Sequence, residues 1–255
     1  MKIKGKTVMV TGGSSGLGAA SVERLHEAGA NVVIADVNRQ AGETLCGKLD
    51  ERVAFAEIDL TAPGAVQSAV DLCLSRFGAV HVLVNCAGTG WAQKTVGKEG
   101  PHDLDTFMKV IRLNLVGSFD AIRLTAFRMQ DNEPGEEGER GVIVNTASAA
   151  AFDGQVGQVA YAASKGGVVG MTLVVARDLA RAGIRCCTIA PGLFTTPLTS
   201  LMPQEARDRL IEQTPFPNRF GQADEFAMMV QQIVENPFLN GETIRLDGAL
   251  RMGVR

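Results

Sequence analysis

This sequence has little of what usually marks a binding surface or a cross-linked scaffold. It holds one tyrosine, Tyr161, and one tryptophan, Trp91, in 255 residues. Charge is nearly balanced, 25 basic against 28 acidic side chains for a net charge of -3. That balance gives no basis for a nucleic acid or an anionic membrane surface as partner. The five cysteines include no C-x-x-C pair. Neither a disulfide framework nor a metal site is expected, and the thiols are read as reduced. No unbroken apolar run reaches the ~20 residues that cross a bilayer. The amino terminus enters an apolar strand at once, leaving no room for a targeting segment, so a cytoplasmic location is expected. Repeats and dividing linkers are also missing.

What is present is alternation. Short β-branched runs at Thr7–Thr11, Asn31–Ala35, Val53–Glu57, Val80–Val84, Val142–Thr146, Ile184–Ile189 and Thr243–Leu246 read as strands. Most are continuously apolar, as strands covered on both faces must be. Helical patterns fit 16–28, 39–49, 64–77, 104–129, 159–181 and 223–235. The alternation predicts a Rossmann-like, doubly wound parallel α/β sheet of about seven strands with helices on both faces, forming one domain over 1–255. Residues 130–141 are strongly polar and read as a solvated loop. Residues 192–214, rich in Pro and Thr, read as a mobile substrate lid.

Thr11-Gly12-Gly13-Ser14-Ser15-Gly16-Leu17-Gly18 directly follows the first strand. Gly12, Gly16 and Gly18 let the backbone turn tightly and approach a pyrophosphate at a helix N-terminus. Alone, such a turn is only a tight loop; its place between a strand and a helix makes it a nucleotide site. Asp36 ends the second strand, where a carboxylate accepts from ribose hydroxyls and repels a 2′-phosphate. It could equally cap the next helix. No Lys or Arg stands at Ser14, Ser15 or Val37, so NAD is favoured over NADP. Asp59-Leu60 and Asn85-Cys86-Ala87-Gly88 follow the third and fourth strands, where ligands gather in open parallel sheets. Tyr161 and Lys165, four apart, share one helix face. A fixed cation lowers the pKa of a phenol, so this pair can move a proton, although the same spacing also makes an ordinary surface contact.

Together these motifs, with Asn114, Ser148 and Pro191-Gly192, closely resemble the short-chain dehydrogenase/reductase family in order and spacing. The segments 140–148, 154–158, 190–194 and 235–242 further resemble its type-2 3-hydroxyacyl-CoA dehydrogenases. The resemblance implies NAD-dependent oxidation of the 3-hydroxyl of short or branched 3-hydroxyacyl-CoA, a step of fatty-acid and isoleucine breakdown in lipid metabolism. It implies Tyr161 as general base with a lowered pKa, and Lys165 as holder of the nicotinamide ribose. Ser148 would bond the substrate oxygen, and Asn114 would anchor a water relaying protons to Lys165. Asn114 interrupts the stripe Phe107, Ile111, Leu115, Phe119. Gln155 would contact substrate; Phe194 and Thr196 would position the carboxamide. Ser15, Leu17, Asp36, Asp59, Leu60 and Cys86 complete the implied cofactor set, and a homotetramer built through helices 104–129 and 159–181 is expected. CoA phosphates need local cations; Lys94 and Lys98 are candidates, against a reading as solvated lysines.

Three other readings stand beside this one. The chain could oxidise another secondary alcohol such as a steroid, or act as a 3-oxoacyl-carrier-protein reductase, which Asp36 disfavours. In a different class, it could be a nucleotide-binding scaffold without chemistry, against which the retained Tyr161, Lys165, Ser148 and Asn114 weigh.

Overall fold

The β-branched runs pair, in a computed structural model that describes residues 1–196, 199 and 204–254 (206 by its backbone alone), as one parallel sheet. Its strands are β1 (Thr7–Thr11), β2 (Asn31–Asp36), β3 (Val53–Glu57), β4 (Val82–Asn85), β5 (Gly141–Thr146), β6 (Ile184–Pro191) and β7 (Thr243–Leu246). Their order is β3-β2-β1-β4-β5-β6-β7. The chain winds outward from β1 to β3, then restarts at β4 and winds the other way. The direction therefore switches between β1 and β4, where open α/β sheets hold ligands.

Alternate residues of each strand feed two cores. Val8, Val10, Ile34, Val84 and Val144 face a layer built from α1 (Gly16–Glu27), α2 (Arg39–Lys48) and the C-terminal helix Ala223–Glu235. Met9, Val33, Leu83 and Ile143 face α3 (Ala65–Phe77) and the helices that follow β4 and β5. Cys186 and Cys187 divide between these cores, as the period-two rule requires. All five cysteines are unbridged.

The structure departs from the expected elements at several places. The helix expected over 104–129 is α4 (Leu104–Ile111), a π-helical turn (Arg112–Gly117) and α5 (Ser118–Met129). Its sheet-facing row runs through Val110, Asn114, Ser118, Ala121 and Thr125. Asn114 therefore belongs to that buried row and does not interrupt the stripe to Phe119, which is half exposed. The polar loop 130–141 is not wholly solvated: Glu139 is only partly exposed and forms an ion pair with Arg185 at 2.7 Å. Helix α6 (Val159–Leu179) and the short turn after it have the length and mean hydropathy (1.4) of a membrane span, against the reading from apolar runs. Its alanines, valines, leucines and methionine raise the mean, while Lys165 and the glycines interrupt the apolar stretch. Here α6 packs on the sheet and buries Lys165, Val168, Thr172 and Val175. The expected lid over 192–214 contains a charged helix, α7 (Gln204–Glu212), ahead of α8 (Ala223–Glu235). Residues 197, 198 and 200–203 of that lid lie outside the described residues.

His81, just ahead of β4, accepts a hydrogen bond from the Thr7 amide on Nδ1 at 3.1 Å. This bond needs the neutral ring. Burial, and secondarily the charge of Lys6, depress its pKa to about 4. An unfolded histidine titrates near about 6.5, so from there down to about 4 the unfolded chain binds the extra proton. Stability should be full above that window and drain as pH falls through it. Denaturant midpoints measured across it should fall less steeply for His81→Gln; parallel curves for the two proteins would contradict this account.

Candidate active site

The loop between β1 and α1 is compact because its glycines leave no room for side chains. A Cβ at Gly18 would meet the Gly12 carbonyl oxygen at 2.1 Å, and one at Gly12 would meet Ala87 at 2.7 Å. Gly12 also has φ of +65°, which L-residues seldom adopt. The loop thus lies flat on the ends of β1 and β4. The N-cap residue of α1, Ser15, makes no side-chain cap bond, so the first amides of that helix open onto the space above the loop.

A cleft of about 650 Å³ lies there, within the ~300–1,000 Å³ usual for small-molecule sites. Gly12, Ser15, Gly16, Leu17, Gly18, Asp36, Asp59, Leu60, Cys86, Ala87, Gly88 and Thr196 line it, all expected from the sequence. Ala35, Val37, Ile58 and Leu113 line it as well. The first three are neighbours of predicted positions at strand ends; Leu113 carried no sequence signal, because it reaches the cleft from the π-helical turn.

Asp36 does not cap α2. Asn38 does, its Oδ1 accepting from the Ala41 amide at 3.0 Å. The Asp36 carboxylate instead accepts from the amides of Ser14 at 3.1 Å and Asn38 at 2.9 Å. It stands at the cleft wall and braces the glycine loop. Arg39, the nearest cation in sequence, turns to Glu57, its Nε donating at 2.8 Å. Among the described residues lining the cleft no cation offers a 2′-phosphate clamp, so the residues fit NAD.

Some expected cofactor residues point elsewhere. The Asn85 amide lies inside the sheet, accepting from Thr11 Oγ1 at 3.2 Å and donating to Asn145 Oδ1 at 2.9 Å. It ties β1, β4 and β5 where they end. The Phe194 ring is buried against Phe226, edge to face at 6.4 Å, so its ring does not face the cleft. Pro191 closes β6, and Gly192 packs so tightly on Asp247 that a Cβ would meet it at 2.7 Å.

Ser148, Tyr161 and Lys165 come together at the ends of β5 and α6. Ser148 caps the turn Ala149–Ala151, its Oγ accepting from the Ala150 amide at 3.1 Å, and its hydroxyl faces the Tyr161 phenol, where it favours the phenolate. Lys165 Nζ is buried, donates to the Thr146 carbonyl at 2.7 Å, and lies 5.9 Å from the Tyr161 ring centre. A Cβ on Gly88 would stand 3.5 Å from Lys165 Nζ and 3.2 Å from Asn114 Oδ1. The glycine wall of the cleft is thus also the wall beside the lysine.

Asn114 holds the loop after β4. Its Oδ1 accepts from the Thr89 amide at 2.9 Å, and its Nδ2 donates to the Thr89 carbonyl at 2.9 Å and to Ser164 Oγ at 3.0 Å. Thr89, Thr146 and Ser164 are the supporting residues the sequence reading missed. Ser164 alone had a signal, its place beside Lys165. Gln155 donates to the Gly253 carbonyl at 3.3 Å, so the C-terminal segment holds it. Lys94 and Lys98 are exposed in the loop after β4, whose Val96 and Pro101 bridge as a small hairpin.

The electrostatics correct one expectation. Burial pushes the Tyr161 phenol up, and the Ser148 hydrogen bond offsets this only in part. Burial also brings Lys165 down to about 8. The ammonium spends its short bond on a carbonyl, away from the phenol oxygen, and without cofactor its proton leaves first. The Cys86 thiol is pushed up to about 11 by burial, so it stays protonated beside the cleft.

The model of the family described as short chain dehydrogenase matches residues 6–207. A bovine (Bos taurus) 3-hydroxyacyl-CoA dehydrogenase type-2 is 54% identical over 98% of this chain and 97% of its own length. The crystal structure of 3-hydroxyacyl-CoA dehydrogenase type-2 from Mycobacterium avium superposes with a TM-score of 0.95, at 41% identity over all of both chains. A 3-ketoacyl-(acyl-carrier-protein) reductase from Brucella melitensis, crystallised with NADH, has a TM-score of 0.86 at 26% identity, over 98% of this chain and 100% of its own.

Because the chain has one tyrosine, phenolate absorbance needs no assignment. In cofactor-free protein it should appear above the range of free tyrosine, and Ser148→Ala should move it higher still. Titration at or below free tyrosine would overturn the burial argument.

Proposed function

The chain belongs to the short-chain dehydrogenase family, and from that premise we propose that it is an NAD-dependent 3-hydroxyacyl-CoA dehydrogenase. It is an oxidoreductase acting on CH–OH groups with NAD(H). The observation that carries the reading is the meeting of Ser148, Tyr161 and Lys165 beside Gly88, where the cofactor cleft ends. The near full-length likeness to the bovine dehydrogenase supports the acyl-CoA class of substrate.

Bound NAD supplies the hydride acceptor. Asp36 would accept from the adenosine ribose hydroxyls, and the first amides of α1 would hold the pyrophosphate. In the oxidative direction Tyr161 Oη would take the proton of the substrate 3-hydroxyl. Ser148 Oγ hydrogen-bonds the same oxygen as its charge changes. Lys165 would hold the nicotinamide ribose, and its charge with that of the oxidised ring would bring the phenol back down from its raised value. Asn114 fixes Gly88 and Thr89 beside Lys165 and anchors the proton-relaying water. Gln155 meets the acyl portion, Thr196 the carboxamide, and the Phe194 main chain the same region.

Short and branched acyl groups are the proposed substrates, with fatty-acid and isoleucine breakdown in the cytoplasm as the setting. A homotetramer is part of the same proposal. Half-exposed apolar side chains on α4 and α5 (Met108, Phe119, Phe127) and on α6 (Leu173, Val174) support it, since lone monomers seldom leave such rows uncovered. Sedimentation should give a tetramer; a monomer would contradict this part alone.

The test is a panel of 3-hydroxyacyl-CoA esters against a steroid alcohol, each with NAD and NADP. Turnover of short 3-hydroxyacyl-CoA with NAD is expected, with Tyr161→Phe losing at least ~100-fold in kcat, the usual scale for a general base. Asp36→Ala should narrow the preference for NAD. Preference for the steroid, or for NADP, would replace this reading.

A further inference from the structure

We propose that Arg245 is a positioning residue that clamps the substrate-facing segment 148–156 to the end of β7. The proposal rests on the dehydrogenase reading above, which gives that segment its task. Arg245 stands on β7, and its side chain is only 20% exposed. Its Nη2 donates to Asp153 at 2.6 Å and its Nε to Asp247 at 2.6 Å. Nη2 also donates to the Leu250 carbonyl at 2.9 Å, and the guanidinium lies 5.2 Å over the Phe152 ring.

These partners belong to two pieces of chain far apart in sequence, 152–153 and 247–250. Asp153 and Phe152 follow the turn capped by Ser148, and the Asp153 amide donates back to the Ala149 carbonyl at 2.9 Å. Asp247 directly follows β7, and Leu250 opens the C-terminal segment. That segment in turn lies along the substrate side: Gln155 Nε2 donates to the Gly253 carbonyl at 3.3 Å, and the Val156 amide to the Val254 carbonyl at 3.1 Å. One side chain therefore joins the strand, the turn that carries Ser148, and the segment that holds Gln155.

Arginine suits this place where lysine would not. A planar fork can serve two carboxylates in different directions while its face stacks on a ring. Both carboxylates are mostly buried, Asp153 at 20% and Asp247 at 6% side-chain exposure, so each needs a cationic partner. Neither Arg245 nor its partners line the cofactor cleft. Loosening the clamp should thus be felt by the acyl substrate and hardly by NAD.

Steady-state kinetics of Arg245→Lys and Asp153→Asn test this, with 3-hydroxybutyryl-CoA and NAD varied in turn and melting temperatures read alongside. The acyl-CoA KM should rise about tenfold, less than the ~100-fold that a 1 Å misplacement remote from the chemistry can cost, while the NAD KM stays put. The double variant should add little to either single one, because both remove the same bond. Asp153→Glu, which keeps the carboxylate, should recover most of the loss seen in Asp153→Asn. An unchanged acyl-CoA KM, or an equal rise in both KM values tracking a lower melting temperature, overturns the proposal. If the wild-type protein turns over no 3-hydroxyacyl-CoA, the functional reading fails instead. The clamp is then judged by amide hydrogen exchange at 149–156, which Arg245→Lys should speed up at unchanged exchange in β1 and β4; unchanged exchange there would sink it.

Discussion

A buried ammonium sets the terms for the functional half of this protein. Lys165 is almost wholly inside, and a charge in that position is tolerable only with a strong acceptor close by. The acceptor is the carbonyl of Thr146, the last residue of β5. That bond pins α6 to the end of a central strand. Because Tyr161 is one helical turn from Lys165, and Ser148 two residues beyond Thr146, the same bond fixes where phenol and hydroxyl meet. Burial and catalytic geometry are one constraint here, and its cost appears in the depressed lysine and the raised phenol.

The cofactor half depends on how β1, β4 and β5 end. Thr11, Asn85 and Asn145 are in register, and their side chains form a hydrogen-bonded row across the sheet at its carboxyl edge. Such a row is satisfied only in one register, so it fixes the strand ends that carry the glycine loop and Gly88. Asn85 thus acts on the cofactor through the sheet. Gly88 is where the two halves touch, since a Cβ there would crowd Asn114 and reach contact with Lys165.

The sequence misled where chemistry depends on direction. Phe194 follows Pro191-Gly192 as a carboxamide contact would, but its ring packs in the apolar space against Phe226 and leaves only the main chain for that role. Asn114 read as a polar break in an apolar stripe, whereas the π-helical turn sets it in the buried row, bonded to Thr89 and Ser164. The phenol was expected to be acidified by a neighbouring cation. Helical spacing is silent on how far burial outweighs that cation, or on which atom the cation chooses as partner. Glu139 looked solvated in an acidic loop until Arg185, 46 residues away, came to meet it.

Alternation of apolar strands with longer helices was enough to set the doubly wound sheet, because each pattern has its own period and each period demands burial on particular faces. The glycine spacing after β1 and the carboxylate after β2 were also local enough to read, since a tight turn and a strand end are properties of a few consecutive residues. Tertiary structure alone decided the rest: the register of the asparagine row, the supporting partners of Asn114 and Lys165, the Arg245 bridge and the direction of the phenol's shift. Each of these depends on which groups from distant segments share a small volume from which water is excluded, and no local pattern encodes that.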